Sequence, residues 1–192
     1  MAFIRLVGCS VGKEVCVHCD TNFSKTYPEL GGGMFSETAL AEWVSGMTPC
    51  LTGGEPFDRD LEPLCAALVL HFEGKQQIHV ESSGTKEIPE WAKKMIREGE
   101  MHLTISPKPG WLINTLFLAS EIKVIHQGLG DGEGWPTLRD ALRWAKSTPT
   151  YLQPRNFFST VDPASLQQAM DIVLANPSLR LSVQLHKFLE VR

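Results

Sequence analysis

Apolar residues along this chain gather in short runs, and between the runs they recur every three or four positions. The runs predict buried strands, and the recurrences predict helices with one buried face. Phe3 to Val7 reads as the first strand. Ser36 is placed to cap a helix running to Gly46, and the next strand ends at Leu51-Thr52. Leu61, Leu64, Cys65, Leu68 and Phe72 then fall at helical spacing, with Asp58 or Asp60 as the opening residue and Gly74 as a stop signal. That spacing makes Cys65 a core residue.

The rhythm continues to the end of the sequence. Ile78 to Glu81 is a predicted strand, Pro89 to Glu98 a helix, His102 to Ile105 a strand and Glu121 to Ile125 another. A helix over Thr137 to Lys146 precedes a strand at Tyr151-Leu152. Asp162-Pro163 is an N-cap followed by a proline at the first helical position, and a final strand is expected over Leu181 to Leu185. Strands alternating with helices imply parallel strands joined by helical crossovers, an α/β fold. A complete eight-fold barrel takes about 250 residues. At 192 residues the chain suits an incomplete TIM-like barrel of about six parallel strands, in a single domain without internal repeats.

Composition narrows the function classes. No apolar run approaches membrane-spanning length and no secretory signal is visible, so a reducing, cytoplasmic setting without a membrane partner is expected. Eighteen lysines and arginines against 22 acids give a net charge of −4, and the basic residues are scattered. That distribution argues against a nucleic-acid partner held by phosphate attraction.

In parallel α/β folds, ligands gather at the carboxyl ends of the strands. Cys9 to Thr21 follows the first predicted strand, Thr52-Gly-Gly-Glu55-Pro56 the second and Glu81-Ser-Ser83-Gly84-Thr85 the third. Ser106-Pro-Lys108 follows the fourth, and Gln153-Pro154 a later one. Gly53 and Gly54 let the backbone approach a ligand closely, and Glu55 offers a carboxylate to an ammonium group. Gly-Gly-Glu-Pro also serves a plain turn, and a lone Ser-Pro-Lys a solvated lysine. His186 is expected at the end of the last strand, on the same rim as the cysteines. His71, His79, His102 and His126 are isolated and read as structural or exposed. Gly128 to Gly134 lacks the lysine and hydroxyl of a phosphate loop and reads as a flexible loop.

Cys9, Cys16 and Cys19 are the strongest chemical signal. Structural zinc normally takes four protein ligands, and an ordinary four-iron cluster takes one thiolate per iron. Three thiols therefore admit two readings: a zinc site completed by His18 or Asp20, or an iron–sulfur cube with one iron left open for a ligand that is not protein. The odd cysteine count and the lack of a secretory signal argue against a disulfide framework.

Taken in order, Gly8-Cys9, Cys16-Val-His-Cys19-Asp20-Thr21, Leu51-Thr-Gly-Gly-Glu-Pro56, Glu81-Ser-Ser-Gly-Thr85, Ser106-Pro-Lys108, Glu121-Ile-Lys-Val, Leu152-Gln-Pro154 and Gln184-Leu-His-Lys187 resemble the 7-carboxy-7-deazaguanine synthases. These are radical S-adenosylmethionine enzymes of queuosine and deazapurine biosynthesis, and the resemblance covers almost the whole chain. It implies that Cys9, Cys16 and Cys19 hold a [4Fe–4S] cluster whose open iron takes S-adenosylmethionine. It also implies a substrate, 6-carboxy-5,6,7,8-tetrahydropterin, whose ring contracts with loss of ammonia to 7-carboxy-7-deazaguanine, a carbon–nitrogen lyase reaction.

The resemblance assigns residues too. His18, Cys19, Asp20, Gly54, Glu55, Ser83, Ser106, Lys108 and Gln153 would border S-adenosylmethionine, and Thr21 would place its hydroxyl on Mg²⁺, a cation that prefers oxygen ligands. Arg5, Thr52 and His186 would face the pterin, with Arg5 gripping its carboxylate as a bidentate fork. A homodimer and an electron donor such as flavodoxin are implied as partners. Three departures stand out. The family's Gln-Gly-Glu-Gly segment before the first strand is not among these residues, so that part of the substrate pocket is expected to be missing, replaced from elsewhere or lost through a misplaced start. The first cysteine gap holds six residues, where the superfamily commonly has three. His18 stands where an aromatic ring often packs against adenine. Two other readings remain beside it: a different radical enzyme such as a glycyl-radical activase, which would need a basic or apolar docking face, and a non-enzymatic zinc-binding module.

Overall fold

The computed structural model describes residues 1–17, 19, 32–126, 132–157 and 160–189. In chain order the elements are β1 (Ala2–Leu6), α1 (Gly12–Val15), α2 (Glu37–Trp43), β2 (Pro49–Gly53), a 3₁₀ turn (Pro56–Asp58), α3 (Glu62–His71), β3 (Ile78–Ser82), α4 (Glu90–Glu98) and β4 (Met101–Ile105). They continue with α5 (Ile113–Leu116), β5 (Glu121–Ile125), α6 (Leu138–Trp144), β6 (Thr150–Gln153), β7 (Asn156–Phe157), β8 (Thr160–Val161), α7 (Pro163–Ala175), β9 (Leu179–Leu181) and α8 (Leu185–Phe188). No helix among the described residues is long and apolar enough to cross a membrane.

The chain divides into two compact units. The first holds the described residues of 1–10, 32–82 and 86–104. Its strands lie in the order β1-β2-β3-β4. β1 runs parallel to β2, with Arg5 opposite Thr52, and β2 runs parallel to β3, with Leu51 opposite Val80. Ile4, Leu51, Ile78, Val80 and Leu103 from the strands, with Leu64, Cys65 and Leu68 from α3, form its core. Alternation in β3 buries Ile78, Val80 and Ser82 and leaves His79 and Glu81 half-buried on the other face. His79 stacks on His102 with ring centroids 4.7 Å apart, so these two histidines are neighbours rather than isolated.

Local chemistry sets the helix ends in this unit. Ser36 Oγ accepts from Ala39 N at 3.3 Å and opens α2 as the sequence predicts. Gly99, in the left-handed region, closes α4. The opening of α3 differs from expectation. Leu61 occupies its N-cap without a side-chain bond, although Asp60 Oδ1 accepts from Glu62 N at 2.9 Å. Asp58 belongs to the 3₁₀ turn instead, and its carboxylate serves the loop after β1.

The second unit comprises the other described residues, with strands in the order β5-β6-β9, all parallel, and a separate antiparallel β7–β8 pair. A capping box between Thr137 and Asp140 opens α6. Asp162 caps α7 by accepting from Ala164 N and Ser165 N at 3.1 and 3.2 Å. Four such strands in the first unit and three in this one make seven among the described residues, one more than the expected six.

The final strand is corrected. It covers Leu179–Leu181, not Leu181 to Leu185. β9 pairs with β6 up to Leu181 opposite Leu152, and Ser182 N closes the ladder on Leu152 O at 3.0 Å. Pro154 follows β6 and has no N–H with which to extend the pairing. The chain turns into α8 instead, so His186 stands in a short helix beyond the strand. Of the glycine-rich segment, residues 128–131 lie outside the described ones.

Candidate functional site

The sequence-predicted site residues divide between the two units. In the first, β2 ends at Gly53 and turns through Gly54-Glu55, and the backbone requirement is visible at both glycines. Gly53 has φ +109°, and a Cβ there would stand 2.5 Å from Leu6 N. A Cβ on Gly54 would stand 1.5 Å from Gly8 O. Only residues without side chains allow this turn to lie against the loop that carries Cys9. Gly54 N also donates to Leu6 O at 3.1 Å, extending the strand pairing into the turn.

Glu55 follows, 1% exposed, and caps the 3₁₀ turn. Its Oε1 accepts from Phe57 N at 3.2 Å and from Ser82 Oγ at 2.8 Å. A buried carboxylate needs such donors to remain in place. Ser82, 3% exposed, was not among the sequence candidates. The available signal was a hydroxyl at a buried position of an alternating strand. Beside it, Thr52 Oγ1 donates to Glu81 Oε2 at 3.2 Å, so Glu81 joins the site through Thr52. Arg5 is exposed on β1, in register with Thr52, with its guanidinium 5.4 Å from the centroid of the Phe3 ring.

Cys9 is half-buried in the loop after β1. Ser10 N donates to Asp58 Oδ2 at 2.6 Å, Lys86 Nζ lies 3.1 Å from Asp58 Oδ1, and Arg59 donates to Val7 O. Partial burial works to raise the Asp58 carboxyl, but the hydrogen bonds from Ser10 and Lys86 and the charge of Lys86 prevail and hold it below its ordinary value.

The second unit carries Cys16, Cys19, Ser83, Ser106, Lys108, Gln153 and His186. Cys16 N bonds to Gly12 O at the end of α1, and Cys19 N bonds to Cys16 O at 2.9 Å, so a tight turn links these two half-buried cysteines. Ser83, Ser106 and Lys108 come together. Lys108 N donates to Ser83 O at 3.2 Å, and Lys108 Nζ donates to Ser106 O and Oγ at 2.8 and 2.7 Å. The lysine of Ser-Pro-Lys is therefore folded back on its own motif. Gln153 ends β6, half-buried, opposite Ile125. His18, Asp20 and Thr21, and the side chain of His186, lie outside the described residues.

Cys9, Cys16 and Cys19 are all half-buried and outside disulfides, whereas Cys50 and Cys65 are buried in the core. Burial, with the charge of Asp60 adding to it, pushes the Cys65 thiol up to about 12. Among the described residues no group of three or more His, Cys, Asp and Glu side chains is gathered to hold a metal ion. The donor set nevertheless fits an iron–sulfur cluster in kind: three partly accessible thiols, held on loops and short turns.

Comparison with known proteins adds a second line of argument. No protein-family model matches the chain. The 7-carboxy-7-deazaguanine synthase of Synechocystis sp. is 32% identical over 99% of this chain and 83% of its own length. That of Caulobacter vibrioides is 32% identical over 97% of this chain and 87% of its own length. Among solved structures, QueE from Escherichia coli superposes with a TM-score of 0.67 at 26% identity, covering 95% of this chain and 84% of the other. The likeness bears out the α/β class with parallel strands and helical crossovers. Neither a zinc-binding module nor a glycyl-radical activase is favoured by these relatives.

Proposed function

This chain belongs to the 7-carboxy-7-deazaguanine synthase family, and from that premise we propose that it converts 6-carboxy-5,6,7,8-tetrahydropterin to 7-carboxy-7-deazaguanine as a radical S-adenosylmethionine lyase. The observation that carries the reading is the Gly53-Gly54-Glu55 turn, which buries a carboxylate against Ser82 while its backbone lies against the loop bearing Cys9. A plain turn between a strand and a helix needs neither the buried charge nor the contact at Gly8.

In this reading Cys9, Cys16 and Cys19 hold the [4Fe–4S] cluster. Bound together, cluster and S-adenosylmethionine supply one-electron cleavage chemistry and a hydrogen-abstracting radical. The chain's residues bind and orient. Glu55, fixed by Ser82 and Phe57 N, presents its carboxylate to the cofactor's ammonium. His18, Cys19, Asp20 and Gly54 border the same cofactor with the backbone and short polar side chains of Ser83 and Ser106. Lys108, drawn back onto Ser106, and Gln153 at the end of β6 complete that border. Arg5 takes the pterin carboxylate by a bidentate fork, with Thr52 and His186 facing the same substrate. Thr21 contributes a hydroxyl to Mg²⁺. The proposal extends to a cytoplasmic homodimer, reduced by a donor such as flavodoxin, with a product that serves queuosine or related deazapurines.

Anaerobic reconstitution tests the proposal. About four irons and four sulfides per chain, with a broad brown absorbance, support it. Stoichiometric zinc without sulfide contradicts it.

A further inference from the structure

Cys9 is the proposed cluster thiol whose backbone neighbourhood is held from the turn after β2. Four contacts converge on residues 6 to 10. Gly54 N donates to Leu6 O at 3.1 Å, Arg59 donates to Val7 O, and the Cα of Gly54 is packed where a Cβ would strike Gly8 O. On the far side of Cys9, Ser10 N donates to Asp58 Oδ2 at 2.6 Å. The other Asp58 oxygen, Oδ1, is 3.1 Å from Lys86 Nζ. Cys9 is thus bracketed: its preceding residues are held by Gly54 and Arg59, its following residue by Asp58, and Asp58 in turn by Lys86.

The bracket answers a local need. Gly8 has φ +89°, so the residue before Cys9 stands in a backbone region that glycine enters without steric guidance from a side chain. Six residues then separate Cys9 from Cys16, and a longer loop costs more entropy to close on a fixed point. An isolated N–H bond to a neutral partner is a weak restraint; one to a carboxylate is shorter and stronger. The Asp58 carboxylate, backed by a lysine, supplies that kind of restraint one residue beyond the thiol.

We propose that Asp58 is a positioning residue that fixes the Cys9 thiol for cluster binding through its bond to Ser10 N, with Lys86 orienting the carboxylate. The inference rests on the family reading in which Cys9 is a cluster ligand. Its chemistry requires an acceptor oxygen at position 58: Asp58→Asn keeps one, and Asp58→Ala removes it.

The test compares wild type, Asp58→Ala, Asp58→Asn and Lys86→Gln as full chains, by two readouts. The first is hydrogen exchange at the Ser10 amide in the cluster-free chain. The second is the rate at which an iron chelator strips the anaerobically reconstituted chain. Asp58→Ala is expected to speed both about tenfold, the scale of losing one charge-assisted bond. Asp58→Asn keeps an acceptor oxygen but loses the charge, and is expected to fall between wild type and Asp58→Ala in both readouts. Lys86→Gln moves both in the direction of Asp58→Ala by a smaller factor. Rapid Ser10 exchange with unchanged chelator resistance overturns the proposal and leaves the family reading standing. Wild type that takes up no iron overturns both together. If Asp58→Ala does not fold, the decision falls to Lys86→Gln, and unchanged chelator resistance in that variant overturns the proposal.

Discussion

Ser82 Oγ donates to Glu55 Oε1 at 2.8 Å, and both residues are closed off from solvent, at 3% and 1% exposure. One is the last residue of β3 and the other follows β2, so the bond ties neighbouring strand ends at the level where a ligand would bind. Removing the hydroxyl leaves a buried carboxylate oxygen with fewer donors. Ser82→Ala is therefore expected to cost about 1–3 kcal/mol in urea unfolding. The same variant, reconstituted, should bind S-adenosylmethionine more weakly by equilibrium dialysis. Unchanged stability and unchanged binding would show that the bond has no part in holding Glu55.

Gly54 tolerates no side chain. A Cβ placed 1.5 Å from Gly8 O overlaps backbone, which cannot swing away as a side chain could. Gly54→Ala should lose at least about 3 kcal/mol, at or above the upper end of ordinary overpacking costs. Alanine at Gly33, which like Gly54 lacks a positive φ and where a Cβ would meet only the Phe35 ring at 3.5 Å, is the control for the general cost of replacing a glycine. Thermal melts of the two variants should differ clearly, with Gly54→Ala the lower; equal melting temperatures contradict the close approach.

The five cysteines should separate by reactivity. The Cys65 thiol, pushed up to about 12 by burial and by the charge of Asp60, is on the order of one part in ten thousand ionised at pH 8. Iodoacetamide applied to the cluster-free native chain should label Cys9, Cys16 and Cys19 first and spare Cys65 and Cys50, as resolved by peptide mass spectrometry. Reconstitution should then protect the first three. Labelling of Cys65 at the rate of Cys16 would refute its place in the core.

Asp162 gives a pH dependence with a defined direction. The backbone bond from Ser165 is the largest influence on its carboxyl, with Arg155 and Ala164 N–H adding to it, and the pKa is lowered from 3.8. A group whose folded pKa is depressed contributes stability above its unfolded value and loses it as pH falls through the folded one. The stability difference between wild type and Asp162→Asn should therefore be full near neutrality and shrink as pH drops below the usual carboxylate range. Urea titrations at a series of acidic pH values measure it. A difference that grows on acidification contradicts the assignment.

Much of this fold is legible in the sequence because its signals are local and repeated. The strand at Glu121 to Ile125, the helix start at Thr137 and the caps at Ser36 and Asp162 rest on alternation and on side chains that bond within three residues. Elements of two to four residues, such as α1, α5 and the β7–β8 pair, are too short for any period to show. The last strand ends early for a reason held by its partner, since pairing stops where β6 meets Pro154. The site follows the same division. Gly54 and Glu55 are visible as a motif, whereas Ser82 and Glu81 become candidates only through the residues they touch. Asp58 reads as a helix cap in sequence because its true partner, Ser10, lies far back along the chain.

The most direct measurement of the central claim is product formation. Anaerobically reconstituted chain is incubated with 6-carboxy-5,6,7,8-tetrahydropterin, S-adenosylmethionine, Mg²⁺ and a reductant, and the mixture is followed by mass spectrometry. The account predicts 7-carboxy-7-deazaguanine, abolished by replacing any one of Cys9, Cys16 or Cys19 with alanine. A fully loaded cluster that cleaves S-adenosylmethionine yet yields no deazaguanine would contradict it.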